Sequence, residues 1–333
     1  MPRAGQLNWG SDLDPAGAAL LEGLTVEEIL LKGQLDLSYA LSGPSSEQAS
    51  RRFEQILQHQ LAPAVKNGAQ LMVQLQQEVN ILPTGCSSLD ELLRGGLREG
   101  HIIELTGEPA SGKSQACLLA AVTTAARGER VAWLDTSTFF DAHHAAAFYH
   151  ALPASPHKLP LEACLDCIHV HPVHDVLDAL SILEAIVLQE QEIRAGRGPQ
   201  PRQGRVGRLS LITVDSISAL LGPVLGSGQY GYGQALLSSL GHLLKQAAAS
   251  LSVACLTTNG VVGSSRGGPR PALGETWKVQ PQIRVQMHRE EGSVRWATLL
   301  ASTISASKGI AWFQLTSSGP QTCNAPSGFT FQP

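Results

Sequence analysis

Apolar and polar positions along this chain change period several times, and the changes divide it. The first sixty or so residues read as short helices. Thr25-Val-Glu-Glu28 has the reciprocal pattern of a capping box, with Thr25 as N-cap and Glu28 reaching back. Ser45-Ser-Glu-Gln48 repeats it after Gly43-Pro44, and the helix it opens places Ala49, Phe53, Ile56, Leu57 and Leu61 on one side. That stripe reads as the core of a small helical domain over residues 1–62; a partner-binding face is the alternative. The pattern loosens at Pro63, and Asn67-Gly68 is a turn signal, so residues 63–82 are assigned as a linker.

From residue 83 to 333 the periods alternate. Strand-like runs cover 101–106, 130–135, 167–173, 209–215 and 253–258, and helical runs cover 115–122, 174–194 and 233–250. Strands alternating with helices predict an α/β fold, a mostly parallel sheet covered on both faces. The end differs: 282–287, 294–300 and 310–315 are strands joined by short turns, which predicts antiparallel C-terminal strands. Two stretches read as irregular loops. Residues 194–208 carry Arg194, Arg197, Arg202, Arg205 and Arg208 among Gly, Pro and Gln, and residues 260–274 are rich in Gly, Ser, Arg and Pro.

Composition narrows the picture. A chain of 333 residues with 43% hydrophobic and 16% charged positions has enough material for about two domains and a full core. A net charge of −4 argues against coating nucleic acid by charge alone. The cysteines, Cys86, Cys117, Cys164, Cys167, Cys255 and Cys323, are scattered through predicted elements, which suggests reduced thiols rather than a disulfide framework. No signal-peptide core, membrane-length apolar run or dense Lys/Arg import signal is expected.

The sharpest chemistry lies at Gly107-Glu108-Pro109-Ala110-Ser111-Gly112-Lys113-Ser114, a complete G-x-x-x-x-G-K-[ST] phosphate loop between a predicted strand and a predicted helix. The glycines let backbone N–H groups turn inward, and the helix N-terminus adds its positive end. Lys113 would reach the β- and γ-phosphates, and the Ser114 hydroxyl would ligate Mg²⁺. The alternative, a glycine-rich turn that binds nothing, is disfavoured by the complete motif in its strand–loop–helix setting. Leu209 to Asp215 is an apolar strand ending in a carboxylate, the expected partner of such a loop. Asp215 is expected to hold Mg²⁺ through a water, facing Ser114; its alternative role is N-cap of the next helix. Hydrolysis would also need a group that orients water. Ser137 stands at the end of the second strand, where such a group could sit, and a serine hydroxyl is far too weak a base at neutral pH. The site looks better suited to holding ATP than to cleaving it.

Together with Leu82-Pro-Thr-Gly85, Leu89-Asp90, Gly95-Gly96-Leu97 and Thr257-Thr258-Asn259, these residues resemble the RecA-type recombinases. Asn67-Gly68-Ala69 and Pro271-Ala-Leu-Gly-Glu-Thr-Trp277 are similar to the D-type paralogue group of the eukaryotic strand-exchange recombinase. The resemblance covers most of the chain, is strong over about 65–300 and weak before it. It implies a RecA-like ATP-binding core after a helical N-terminal domain, with ATP and Mg²⁺ as cofactors. It implies a role in homologous recombination and double-strand-break repair, a nuclear location, and assembly with other recombinase paralogues, one through the N-terminal domain and one through the core. Recombinases carry glutamate where this chain has Ser137, and a γ-phosphate-sensing glutamine where it has Gly260. The linker also lacks a Phe-x-x-Ala filament anchor. These departures point to an accessory ATP-binding subunit; a DNA-stimulated strand-exchange ATPase and a phosphate-loop kinase or motor are the competing readings.

In that family two loops bind DNA, and they correspond to about 221–233 and 260–274. The first offers Tyr230 and Tyr232 for stacking on bases, and the second offers Arg266 and Arg270 for phosphates. Weak binding of single-stranded or branched DNA is expected. The arginines of 194–208 either add to it or belong to a solvated insert. Finally, Cys164, Cys167, His169, His171 and His174 invite a zinc reading, but no second ligand pair follows at finger spacing, and side chains along one face of a strand inside the sheet are the better explanation.

Overall fold

A computed structural model of the chain describes residues 80–196, 207–226, 230–264, 267–304 and 309–326. All belong to the second of the two units into which the chain divides, Val79–Pro333. The expected helical domain 1–62, and the linker up to residue 79, lie outside the described residues. The end of that linker, Ile81–Leu82, forms β1, which pairs antiparallel with β2 (Leu97–Arg98). Between them lies a short helix, α1 (Ser87–Leu92).

The elements that follow are β3 (Ile102–Gly107), α2 (Lys113–Ala126), β4 (Arg130–Asp135), α3 (Ala142–Ala151), α4 (Leu161–Asp166), β5 (Ile168–Pro172) and α5 (Val176–Arg194). Next come β6 (Leu209–Asp215), α6 (Ile217–Gly226), α7 (Tyr230–Leu251), β7 (Ala254–Asn259), β8 (Val261–Ser264), β9 (Gly267–Pro271) and α8 (Gly274–Lys278). The chain closes with β10 (Ile283–Arg289), β11 (Val294–Ser302), β12 (Ile310–Thr316) and β13 (Gly319–Thr322). One nine-stranded sheet has the order β13-β12-β11-β10-β3-β7-β6-β4-β5. From β10 to β5 neighbours run parallel, whereas β10 through β13 pair antiparallel. This is the mixed α/β sheet expected from the alternating periods.

The burial pattern explains why these strands are continuous apolar runs. β3, β6 and β7 are buried at every position because helices cover both faces. Ile103, Leu105, Val131, Trp133 and Leu211 point to the side packed by α1 to α4. Ile102, Ala132, Leu134, Ile212 and Val214 point to the side packed by α5, α6 and α7. α2 approaches closely because Ala116, Ala120, Ala121 and Ala125 face the sheet with little side-chain bulk. Asp175 caps α5 by accepting from the backbone N–H groups of Leu177 and Asp178, at 2.8 and 2.9 Å, which places the helix start two residues after the predicted one.

Two expectations need correction. Residues 260–274 are not an irregular loop: β8 and β9 form an antiparallel hairpin with Val261 opposite Pro271 and Val262 opposite Arg270, and α8 follows. The β-branched Val261-Val262 pair suits a ladder that the Gly/Ser-rich composition hid. The stretch 221–233 is likewise mostly helical, since α6 runs to Gly226 through Pro223 and α7 opens at Tyr230. Leu220, Leu221, Leu236, Leu237 and Leu240 are buried, and this packing outweighs the glycines. Residues 227–229 fall outside the described set.

Candidate functional site: the phosphate loop and its surroundings

The strand–loop–helix context read from sequence is present, with β3 leading into 107–112 and α2 beginning at Lys113. Two glycines of the loop are there for steric reasons. A Cβ on Gly107 would lie 2.3 Å from the Met287 carbonyl oxygen, and one on Gly112, at φ +94°, would lie 2.9 Å from the Leu315 side chain. Gly112 is also the N-cap of α2, so the left-handed turn and the helix start coincide. Glu108, Pro109 and Ala110 are exposed, and Ser111 is buried.

The Lys113 ammonium folds back over the loop. It donates to the carbonyls of Gly107 and Glu108 at 2.9 and 2.8 Å and to Ser111 Oγ at 3.4 Å. Burial lowers its pKa, and the carboxylate of Asp215 acts in the opposite direction. The cation thus stands at the loop mouth with neutral oxygen partners, two carbonyls and a hydroxyl, where an anion would meet it.

Asp215 ends β6 and is 2% exposed. Its Oδ1 accepts from the Thr258 hydroxyl, and its Oδ2 has no hydrogen-bond partner. Burial raises its pKa; the hydroxyls of Thr258 and Ser114 pull the other way, favouring its charged form. The N-cap alternative fails, because the Ser216 hydroxyl accepts from the Ala219 N–H at 3.2 Å and so serves the start of α6. A buried carboxylate oxygen without a partner, beside a hydroxyl and an ammonium, fits a hydrated divalent cation whose other ligands are phosphate oxygens.

β4 ends beside β6, with Asp135 in register with Asp215. The Asp135 carboxylate is taken up by three backbone N–H groups, those of Ser137, Phe139 and Phe140, at 3.1–3.2 Å. It shapes the loop and has little capacity left to take a proton from water. Ser137 donates to the Asp215 backbone carbonyl at 3.2 Å. No carboxylate therefore occupies the position expected of a water-orienting group.

Sequence reasoning passed over the deepest polar cluster. Glu104, in the middle of β3 and fully buried, accepts from Asn259 Nδ2 and Trp277 Nε1, both at 2.8 Å, and from Arg284 Nε at 2.6 Å. It ties the phosphate-loop strand to β7, α8 and β10. Asn259 Nδ2 also donates to the Ala272 carbonyl at 3.0 Å, which fastens the end of the hairpin. The signal was available: a glutamate inside an apolar strand needs partners.

The DNA candidates separate. Tyr232 is 51% exposed near the start of α7, which Tyr230 opens, and Arg270 is exposed on β9. Arg266 lies outside the described residues. At the ends of the arginine-rich stretch, Arg194 donates to the Ser250 and Leu251 carbonyls, and Arg208 pairs with Glu99. These two arginines hold the start of β6 and the end of α7, at the amino-terminal end of the parallel strands and so opposite the phosphate loop, where their role is structural. Arg197, Arg202 and Arg205 lie outside the described residues.

β5 is an edge strand, not one inside the sheet as expected, because the chain continues into α5 without adding a strand beyond it. Cys164 and Cys167 are buried, and the Cys164 thiol, pushed up to about 12 by burial, faces the Val122 carbonyl. Among the described residues no cluster of His, Cys, Asp and Glu has the arrangement of a metal site.

Two hollows are open in the described structure, one beside the site and one away from it. A cavity of about 140 Å³ adjoins the phosphate loop between Gly107, Glu108, Val261, His288 and Trp296. A larger one, about 500 Å³, lies between the ends of α2 and α3 and is lined by Thr123, Arg127, Glu129, Leu152 and His157. It is remote from Lys113 and Asp215, so chemistry rather than volume locates the site.

Comparison with known proteins finds relatives of one family. The family model described as Rad51 matches residues 75–187. A DNA repair protein RAD51 homolog 4 from Mus musculus is 31% identical over 290 residues, covering 83% of this chain and 85% of the relative. A protein of the same description from Bos taurus is 34% identical over 229 residues, covering 68% and 67%. The DNA repair and recombination protein RadB of Halobacterium salinarum is 30% identical over 257 residues, covering 75% of this chain and 99% of the relative.

Proposed function

The chain belongs to the Rad51 family, and within it we propose a D-type recombinase paralogue that binds ATP with Mg²⁺ and serves as an accessory subunit in homologous recombination and DNA double-strand-break repair. The names of its relatives support the role in repair and recombination. The loop 107–114 would hold the triphosphate, with Lys113 on the β- and γ-phosphates and Ser114 and Asp215 on the metal. The bound nucleotide supplies negative charge and a metal bridge that draw β3, α2 and β6 together. The one observation that carries the accessory reading is at the end of β4. Ser137 stands there with its hydroxyl on a backbone carbonyl, and the neighbouring Asp135 carboxylate is filled by backbone N–H groups. Such a site retains ATP better than it hydrolyses it.

The partners are other recombinase paralogues, one bound through residues 1–62 and one through the core, and the location is the nucleus. Single-stranded or branched DNA binds weakly to the isolated chain, through Tyr230 and Tyr232 and through Arg266 and Arg270. The test is phosphate release from ATP by the purified chain, with and without single-stranded DNA, with Lys113→Ala as control. Nucleotide binding with negligible turnover is expected. Turnover that DNA stimulates and Lys113→Ala abolishes would replace this reading with that of a strand-exchange ATPase.

A further inference from the structure

Most charged side chains that are nearly removed from water in the described structure sit in ion pairs: Arg284 with Glu104, Glu190 with Arg130 and Glu99 with Arg208. Three have no ion pair among the described residues: Asp135, whose carboxylate accepts from three backbone N–H groups, Asp215, which keeps an oxygen without a hydrogen-bond partner, and Arg295. Arg295 is 5% exposed at the start of β11. Its Nε donates to the Ala110 carbonyl at 2.9 Å, and its Nη1 donates to the carbonyls of Gly292 and Val294 at 2.9 and 2.7 Å. Carbonyls take up the Nε and Nη1 N–H groups but do not offset the charge, and a guanidinium does not shed its proton. Burial and the nearby Arg289 both disfavour that charge.

Asp215 and Arg295 both border the phosphate loop. Asp215 reaches it through Ser114 and Lys113, and Arg295 through Ala110, which sits at φ +61°. An L-residue rarely adopts that conformation unless its surroundings hold it there. The signs match the two halves of a metal nucleotide, the carboxylate suiting the cation and the guanidinium suiting the phosphates.

We propose that Arg295 is a positioning residue of the nucleotide site: its guanidinium fixes the loop at Ala110 and supplies, from behind the loop, a positive charge whose counter-ion is the bound polyphosphate. The proposal rests on the ATP-binding reading of residues 107–114 and deepens it. It also gives the antiparallel extension a part in that site, because β11 is where the arginine comes from.

The experiment compares the full chain with Arg295→Gln and Arg295→Lys, using ATP with Mg²⁺ as probe. Affinity is read by titration, and thermal stability by melts with and without nucleotide. Arg295→Gln should weaken ATP about tenfold, as expected for losing one nearby charge at intermediate dielectric. Its nucleotide-free melting temperature should hold or rise, since an uncompensated buried charge is gone. Arg295→Lys should recover most of the affinity. Two results would overturn the proposal: unchanged ATP affinity in Arg295→Gln, or a lost affinity matched by a lower nucleotide-free melting temperature and not restored by lysine. A wild-type chain whose ATP titration equals that of Lys113→Ala would overturn the reading of the loop itself, and this assignment with it.

Discussion

Asp215→Asn removes one negative charge from the floor of the site with almost no change of volume. The carboxylate is 2% exposed, Oδ1 is held by Thr258 and Oδ2 is unpartnered. Burial raises its pKa above 3.8, the Asp135 carboxylate adds to the rise, and Thr258, Ser114 and Lys113 oppose it. A carboxyl with a raised folded-state pKa binds more protons folded than unfolded. Its contribution therefore favours folding most below the unfolded value and is lost as pH rises through the folded one. At neutral pH the empty site thus bears the cost of a buried, unsatisfied anionic oxygen, about 1–3 kcal/mol. The new amide N–H₂ needs an acceptor of its own, so the lower part of that range applies, about 1–2 kcal/mol. For a unit of this size about 1 kcal/mol moves the melting temperature by roughly 2–4 °C, so the nucleotide-free variant should melt about 2–8 °C higher. Mg²⁺ with ATP should shrink or cancel that difference. A tenfold weaker affinity in the variant removes about 1.4 kcal/mol of ligand stabilisation at saturating nucleotide. Melts of both proteins in EDTA, and in ATP with Mg²⁺, measure all four states. An Asp215→Asn chain that melts lower than wild type in EDTA, or gains as much from ATP with Mg²⁺, would refute the assignment of that oxygen to a metal.

Further expectations concern the surroundings of the site. Glu104→Gln leaves Arg284 buried without its countercharge and should cost about 3–5 kcal/mol in urea unfolding, where a loss below about 1 kcal/mol would mean that the cluster is not cooperative. Ser137→Ala should leave any ATP turnover within about twofold, and a tenfold fall would give the hydroxyl a catalytic part. Gly107→Ala forces a methyl against the Met287 carbonyl and should abolish saturable ATP binding in a titration that wild type completes. Burial depresses the pKa values of His169 and His171 below 6.5, so the folded state binds fewer protons than the unfolded one. Stability should fall as pH drops through about 6.5, and melts of His169→Gln/His171→Gln should show a flatter pH profile.

Much of the fold was legible because period and burial coincide. The runs 130–135 and 209–215 were assigned from sequence with the bounds the strands have, since both are flanked by turns and covered on both faces. The phosphate-loop motif was legible because its glycines, lysine and serine stand at fixed short spacing, although the atoms that exclude a Cβ at Gly107 and Gly112, on Met287 and Leu315, come from far along the chain. What escaped depends on contacts distant in sequence. Arg295 and Ala110 are far apart in the chain and meet only because β11 lies beside β10, which lies beside β3. The hairpin β8–β9 was hidden by Gly, Ser and Pro, and its ladder is completed across the turn rather than by propensity. α6 and the start of α7 were hidden in the same way, because buried leucines rather than local preference decide them.

Position 260 ties the site to the hairpin, and it does so by backbone alone. The Gly260 N–H donates to Ser218 Oγ at 3.1 Å, and its carbonyl accepts from Thr106 Oγ1 at 3.2 Å and from the Ala272 N–H at 2.9 Å. Thr106 immediately precedes the phosphate loop, and Ser218 lies three residues after Asp215. The hairpin base is thus fastened to both halves of the site by groups that carry no charge and contact no phosphate. A Cβ at 260 would meet only Ser218 Oγ, at 3.5 Å, so a side chain fits there and glycine is not a steric necessity. Glycine at 260 offers no side chain to reach a γ-phosphate, so at this position nucleotide and hairpin are linked through backbone hydrogen bonds of a nine-stranded sheet that resists displacement. The same economy holds at Ser137, whose hydroxyl donates to the Asp215 backbone carbonyl. Both positions support the proposed accessory reading over one in which hydrolysis moves a DNA-binding segment.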